Sequence, residues 1–220
     1  MTTTLVTGAN RGIGFELARQ SKERGDDVIA VCRSSSPELD ALGVRVESGI
    51  DVTSADDVAR LGAALADTRI DVLINNAGLL SLESLTDMDF DRMRQQFEVN
   101  SLGPLRITHA LLDCLGDGSK VAILTSRMGS IEDNTSGGCY GYRMSKAAVS
   151  AAGKSLSIDL KGRGVPVIIL HPGFVRTAMT GNNGAVEPAD AAVDLLARIS
   201  ELTLETTGRF KHANGDDLPW

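Results

Sequence analysis

Aromatic side chains are scarce in this 220-residue chain, at 4% of its residues. That is too few for the stacking platforms that grip unpaired bases. Positive charge is also in deficit. Lys and Arg number 22 against 29 Asp and Glu, a formal net charge of −7, whereas binding a phosphate backbone needs a positive field. Nucleic acid is therefore not an expected partner. No apolar run approaches the ~18 residues of a membrane span, so no membrane association is expected either. Cysteine is limited to Cys32, Cys114 and Cys139. They are odd in number, far apart and outside any CxxC or His cluster, and they read as reduced thiols of a cytoplasmic protein with no metal site. Strand-like patterning is under way by Leu5–Val6–Thr7–Gly8, which leaves no room for a signal or transit peptide. The length fits one domain over residues 1–220, large enough to hold a core without disulfides.

What the chain has in quantity is glycine, 23 residues, set within an alternation of strand and helix signals. Short β-branched runs recur at 3–7, 28–32, 44–47, 71–74, 120–125, 165–170 and 208–211. Most are apolar without alternation, as strands covered on both faces require. Helical patterns lie between them at 13–25, 54–66, 87–115, 141–162 and 187–199. The segment 34–42 is too short and polar to read as a helix, and Asn182–Asn183–Gly184 reads as a loop. This order predicts an α/β fold, a doubly wound Rossmann-type parallel sheet of about seven strands with helices on both faces.

The first glycines, Gly8, Gly12 and Gly14, fall where strand 3–7 passes into helix 13–25. At such a junction one glycine permits the turn, one lets a pyrophosphate reach the backbone and one lets the helix pack closely. The helix N-terminus offers free N–H groups to the phosphates. An ordinary Gly-rich turn is the alternative. The second strand ends Val31–Cys32–Arg33, without the carboxylate that an NAD site places against the ribose 2′-hydroxyl. Arg33 and Arg11 instead suit a 2′-phosphate, so NADP(H) is the expected cofactor; a solvated surface role for Arg33 is the alternative. Asp51 follows the third strand, where it accepts from an adenine amino group, caps the helix at 54, or both. Asn75–Asn76–Ala77–Gly78 ends the fourth strand at the edge where ligands of such sheets lie.

Tyr142 and Lys146 are four apart, on one face of a helix. A cation beside a phenol favours its ionised form, which makes the pair a tunable proton donor and acceptor for a carbonyl or alcohol oxygen. Tyr140 lacks such a partner, since four residues on lies Met144. Ser126 ends the fifth strand and can hydrogen-bond a substrate oxygen. Asn100 lies inside a helical stretch with Pro104 as its i+4 neighbour, and proline has no N–H to donate back. A kink is expected there, with the Asn100 carbonyl free to hold a water linking to Lys146; a purely structural kink is the alternative.

Together these residues resemble the short-chain dehydrogenase/reductase family in its single-domain form. The likeness runs in order along nearly the whole chain, through the glycine motif, Asp51, Asn75–Gly78, Asn100, Ser126, Tyr142 with Lys146, and His171–Pro172–Gly173 to Thr177. Within the family it is most similar to the C-factor-like and sniffer-like carbonyl reductases, on Ser126–Arg127–Met128–Gly129–Ser130–Ile131, on Asn134–Gly138 and on the ending Gly215–Trp220. The resemblance implies hydride transfer with the nicotinamide. Tyr142 is then the general acid/base, Lys146 the ribose ligand that lowers the Tyr142 pKa, Ser126 the carbonyl-orienting hydroxyl and Asn100 part of a water relay. It also implies cofactor contacts from Gly8, Asn10, Arg11, Gly12, Ile13 and Gly14 in the first loop. Further contacts are expected from Arg33, Asp51 and Val52, and from Asn76, Ala77 and Gly78. On the nicotinamide side they come from Tyr142, Lys146, Pro172, Gly173, Val175 and Thr177.

Two departures bear on the expectation. Ser126 and Tyr142 are separated by a loop a few residues longer than usual, which makes Ser130 a rival to Ser126; the strand-end position favours Ser126. Only residues 178–186 intervene between Thr177 and the last helix, too few for a long lid, so an open pocket for a broad or bulky carbonyl or alcohol substrate is expected. Leu79, Leu80, Met128, Cys139 and Met179 are candidate walls. Other readings are a slow-turnover, dinucleotide-binding signalling protein of the C-factor type and a nucleotide-sugar epimerase, the latter disfavoured by the few residues after Thr177. Small residues on the 141–162 helix (Ala147, Ala148, Ala151, Ala152) suit a twofold partner, and a homodimer is expected.

Overall fold

The computed structural model describes residues 1–220. Seven strands form one parallel sheet in the order β3-β2-β1-β4-β5-β6-β7. In chain order they are β1 (Thr3–Thr7), β2 (Asp27–Val31), β3 (Arg45–Glu47), β4 (Val72–Asn75), β5 (Lys120–Leu124), β6 (Val167–His171) and β7 (Phe210–His212). The order reverses after β3, where β4 pairs with β1 in the register Leu5 to Leu73. Strand order reversal of this kind opens a crevice at the carboxyl edge.

Successive strand residues point to opposite faces, and the core divides accordingly. Leu5, Leu73, Val121, Ile123 and Val167 join one apolar cluster with Leu61, Ile107 and Val149. These three come from α3 (Ala55–Ala64), α5 (Gly103–Ala110) and α6 (Tyr140–Asp159). Val6, Ile74, Ala122, Leu124 and Ile168 join the other with Leu17 and Leu195, from α1 (Gly12–Glu23) and α7 (Pro188–Glu201). Both faces of the central strands are thus dry, which is why their sequences read as continuous apolar runs.

Two expectations are corrected. Segment 34–42 does contain a helix, α2 (Pro37–Ala41). Ser36 Oγ accepts from Leu39 N at 3.2 Å, Pro37 opens the turn and Leu39 is buried. One cap and one apolar anchor suffice for so short an element. The single helix expected over 87–115 is instead α4 (Phe90–Phe97), a π-helical turn (Glu98–Leu102) and α5. Gly103 N–H reaches back five residues to the Glu98 carbonyl, with Pro104 next in line. The expected irregularity is there, taken up as a π turn that accommodates a proline lacking its donor.

Candidate active site

The carboxyl edge of the sheet carries a cleft of about 590 Å³ beside the β1–α1 loop. Gly8 adopts φ +67, and a Cβ on Gly14 would lie 2.2 Å from the Gly8 carbonyl oxygen. Neither position admits a side chain, and the bare backbone forms the cleft floor. Asn76 stitches β4 to this loop: its Nδ2 donates to the Thr7 carbonyl at 2.8 Å, while Thr7 Oγ1 accepts from Asn76 N and Ala77 N at 3.0 and 3.1 Å. On the far side a Thr177 methyl comes within 3.4 Å of where a Gly12 Cβ would sit, so the segment after β6 closes against the glycine loop.

The cleft gathers every expected cofactor residue from Gly8 to Gly78 together with Thr177. Tyr142, Lys146, Pro172, Gly173 and Val175 are not among its lining. Val175 is buried and bridged to Val186. Ser34, Val99 and Ala178 line the cleft without having been anticipated, as do Leu79 and Met179, expected instead as substrate walls. Only Ser34 had a readable signal, its position next to Arg33. Arg11 and Arg33 are exposed at the cleft and form no ion pair. Asp51 Oδ1 accepts from Thr53 N at 2.9 Å and from Thr53 Oγ1 at 2.8 Å. The Thr53 backbone bond, more than the nearby Arg33, holds the Asp51 carboxyl below its ordinary pKa. The cap of α3 is Ser54, whose Oγ accepts from Asp57 N at 3.2 Å, so Asp51 does not take the capping alternative.

Beside the cleft, α6 places Lys146 Nζ 5.7 Å from the centroid of the Tyr142 ring. Lys146 is buried, and its ammonium donates to the Leu124 carbonyl at 2.9 Å. Burial without a carboxylate partner pushes its pKa down to about 8. Burial likewise pushes the Tyr142 phenol up to about 12, and the Ser126 hydroxyl opposes this. The lowering expected from Lys146 does not set the direction here; desolvation does. The phenol is therefore a protonated acid at neutral pH.

Ser126 opens a 3-10 turn (Arg127–Gly129), its Oγ accepting from Met128 N at 3.1 Å. A Cβ on Gly129 would lie 2.7 Å from the Lys146 carbonyl carbon, so glycine lets this turn press on α6. Ser130 points elsewhere. Its hydroxyl donates to the Trp220 carbonyl and accepts from Asp133 N, both at 3.1 Å. Asn100 is buried in the π turn. Its Oδ1 accepts from Leu79 N at 2.7 Å, and its Nδ2 donates to the Leu79 carbonyl at 2.8 Å and to Ser145 Oγ at 3.0 Å. The side chain is thus engaged, which leaves its main-chain carbonyl as the group for any water. After Thr177 a 3-10 turn (Ala178–Thr180) leads back to the Val175–Val186 bridge, and the short excursion carries no long lid.

The model of the short chain dehydrogenase family matches residues 2–188. The 1-hydroxy-2-glutathionyl-2-methyl-3-butene dehydrogenase of Rhodococcus sp. (strain AD45) is 44% identical over 226 residues, covering 100% of both chains. The C-signal protein of Myxococcus xanthus is 46% identical over 154 residues, 69% of this chain and 93% of that one. A solved carbonyl reductase from Pseudomonas aeruginosa PAO1 in complex with NADP superposes with a TM-score of 0.87 at 33% identity, with 100% of each chain covered. The family resemblance read from the motifs is borne out.

Proposed function

The chain belongs to the short-chain dehydrogenase family of oxidoreductases, and on that premise we propose that it is an NADP(H)-dependent carbonyl reductase. The observation that carries this reading is the pairing of half-buried Tyr142 with buried Lys146, with Ser126 against the phenol, beside a cleft whose backbone floor and unpaired Arg11 and Arg33 suit a phosphorylated dinucleotide. The residues of this cleft would hold NADPH, whose chemistry would be the supply of a hydride to the substrate's carbonyl carbon. Ser126 orients the substrate oxygen by hydrogen bonding. Tyr142, a neutral phenol at pH 7, donates the proton that this oxygen takes up. Lys146 holds the nicotinamide ribose and stabilises the phenolate left behind. The Asn100 carbonyl holds a water that returns a proton through Lys146. Pro172, Gly173, Val175 and Thr177, on the segment that follows β6, would flank the nicotinamide. The P. aeruginosa carbonyl reductase, in complex with NADP, supports the cofactor assignment.

The test is a panel of aldehydes, ketones, quinones and glutathione-substituted alcohols, assayed with NADPH and NADH at the nicotinamide absorbance. The glutathione adducts are included because the Rhodococcus relative carries such a substrate in its name. We expect turnover with NADPH preferred, and a loss of ~10²–10⁴-fold in kcat for Tyr142→Phe. Preference for NADH would refute the roles of Arg11 and Arg33, and full activity in Tyr142→Phe would refute the mechanism.

A further inference from the structure

Glu83 is a carboxylate with only 5% of its surface exposed, outside the catalytic set described above. It sits in the loop after β4, wedged between α4 and the start of α6. Every second residue of that loop is fastened. Asn100 holds Leu79 through both its backbone groups. Gln96, four residues earlier on the same helical face and fully buried, accepts from Ser81 N at 3.0 Å and donates to Ser81 Oγ at 2.7 Å. The same Gln96 Nε2 donates to Glu83 Oε1 at 2.9 Å, and Ser81 Oγ also donates to that oxygen. Glu83 Oε2 accepts from Gly141 N at 3.1 Å, and the Glu83 carbonyl accepts from Cys139 N at 2.8 Å.

Both acceptors therefore meet the first turn of α6, immediately before Tyr142. That turn has no side-chain cap of its own, because its preceding residue, Cys139, is left-handed at φ 51 and makes no cap bond. The carboxylate supplies the missing acceptor and places negative charge at the positive end of a 20-residue helix. Gly141 shows how close the fit is: a Cβ there would lie 2.4 Å from Gln96 Nε2 and 2.8 Å from Met93.

We propose that Glu83 is a positioning residue for Tyr142: its carboxylate and carbonyl fasten the first turn of α6 to the Leu79–Glu83 loop and to Gln96, and so fix where the phenol stands. The role presupposes the proton transfer assigned to Tyr142 above. The experiment separates the two claims, because the chain has only two tyrosines. In a Tyr140→Phe background, Tyr142 is the sole phenol, and its ionisation is read by ultraviolet absorbance within milliseconds of a jump to alkaline pH, with no substrate present. Loosening the turn admits water to the phenol. Glu83→Ala is expected to move the midpoint toward the ordinary phenol value by about one pH unit or more. It should also lower kcat about tenfold or more, with KM for NADPH little changed. Glu83→Gln keeps the acceptor toward Gly141 but turns its amide NH2 against the Gln96 and Ser81 donors, and both properties should fall between those of Glu83→Ala and wild type. An unmoved midpoint and kcat in Glu83→Ala would overturn the proposal. So would a Glu83→Gln displaced as far as Glu83→Ala, since the acceptor it retains toward Gly141 would then fix nothing. Should Glu83→Ala not fold, Gln96→Met removes one strut while leaving Glu83 in place; a shift in the same direction supports the proposal and none overturns it. If the wild type reduces no carbonyl, the reading of its activity falls while the phenol titration still decides the role of Glu83.

Discussion

Lys146 buries a lone ammonium on α6, at a cost to the fold. Lys146 has the Leu124 carbonyl as its hydrogen-bond partner and no carboxylate, and its pKa is depressed from 10.5 to about 8. A base whose pKa is lowered on folding destabilises the folded state in full below its folded pKa, and the penalty is relieved as pH rises to the unfolded pKa. At neutral pH that cost is on the order of 3 kcal/mol. Lys146→Met should therefore raise the melting temperature at pH 7 while abolishing turnover. Between pH 8 and 10.5 the unfolded chain binds more protons at this position, so wild-type stability should climb with pH through that window relative to the variant. Parallel thermal melts of both proteins across that range check the point; a variant less stable than wild type at pH 7 would show that Lys146 is better solvated than its burial indicates. Asp51 behaves differently: it faces the cleft, and the backbone bond from Thr53 holds its carboxyl below the ordinary pKa.

At the scale of elements, two turns aim the chemistry: the first turn of α6 and the 3-10 turn after β5. The second depends on Gly129. A methyl there would meet backbone atoms of Lys146 and Ala147 at 2.7 and 2.8 Å, none of which can swing aside. Gly129→Ala should cost about 1–3 kcal/mol, a fall of several degrees in Tm. It should also reduce kcat more than it raises KM for NADPH, because Ser126 moves while the nucleotide cleft does not; a variant matching wild type in both would refute that geometry. The strands and long helices could be read from sequence because each carries its own period and composition. Apolar runs marked Lys120–Leu124 and Val167–His171, and glycine spacing marked the nucleotide loop. Helix α2 escaped, since a five-residue helix stabilised by one serine and one buried leucine has no period to detect. The π turn was legible only as a conflict between Asn100 and Pro104. Ser126 could be preferred over Ser130 from position alone, but the Trp220 carbonyl that engages Ser130 lies ninety residues away, beyond any local pattern. Glu83 escaped for the same reason: its partners come from α4 and α6, and nothing near it in sequence distinguishes it from a surface glutamate.

The whole molecule presents an acidic surface with an open carboxyl edge. Exposed Met144, Ala151 and Ile158 share α6 with partly exposed Ala147, Ala148 and Ala152, and this face is where we place the twofold contact of a homodimer. Light scattering at micromolar concentration should return about twice the monomer mass, and Ala151→Arg should restore the monomer by burying an unpaired charge. A wild-type monomer at that concentration would remove the assignment.

The contact between Thr177 and the Gly12 turn has a consequence for how the protein is made. The glycine turn of the cleft is synthesised long before its last wall, which arrives only with the segment that follows β6. A growing chain therefore has no complete nucleotide site until that segment has emerged. Any stabilisation the dinucleotide lends must reach a chain already made past β6 rather than guide the folding of β1 and α1.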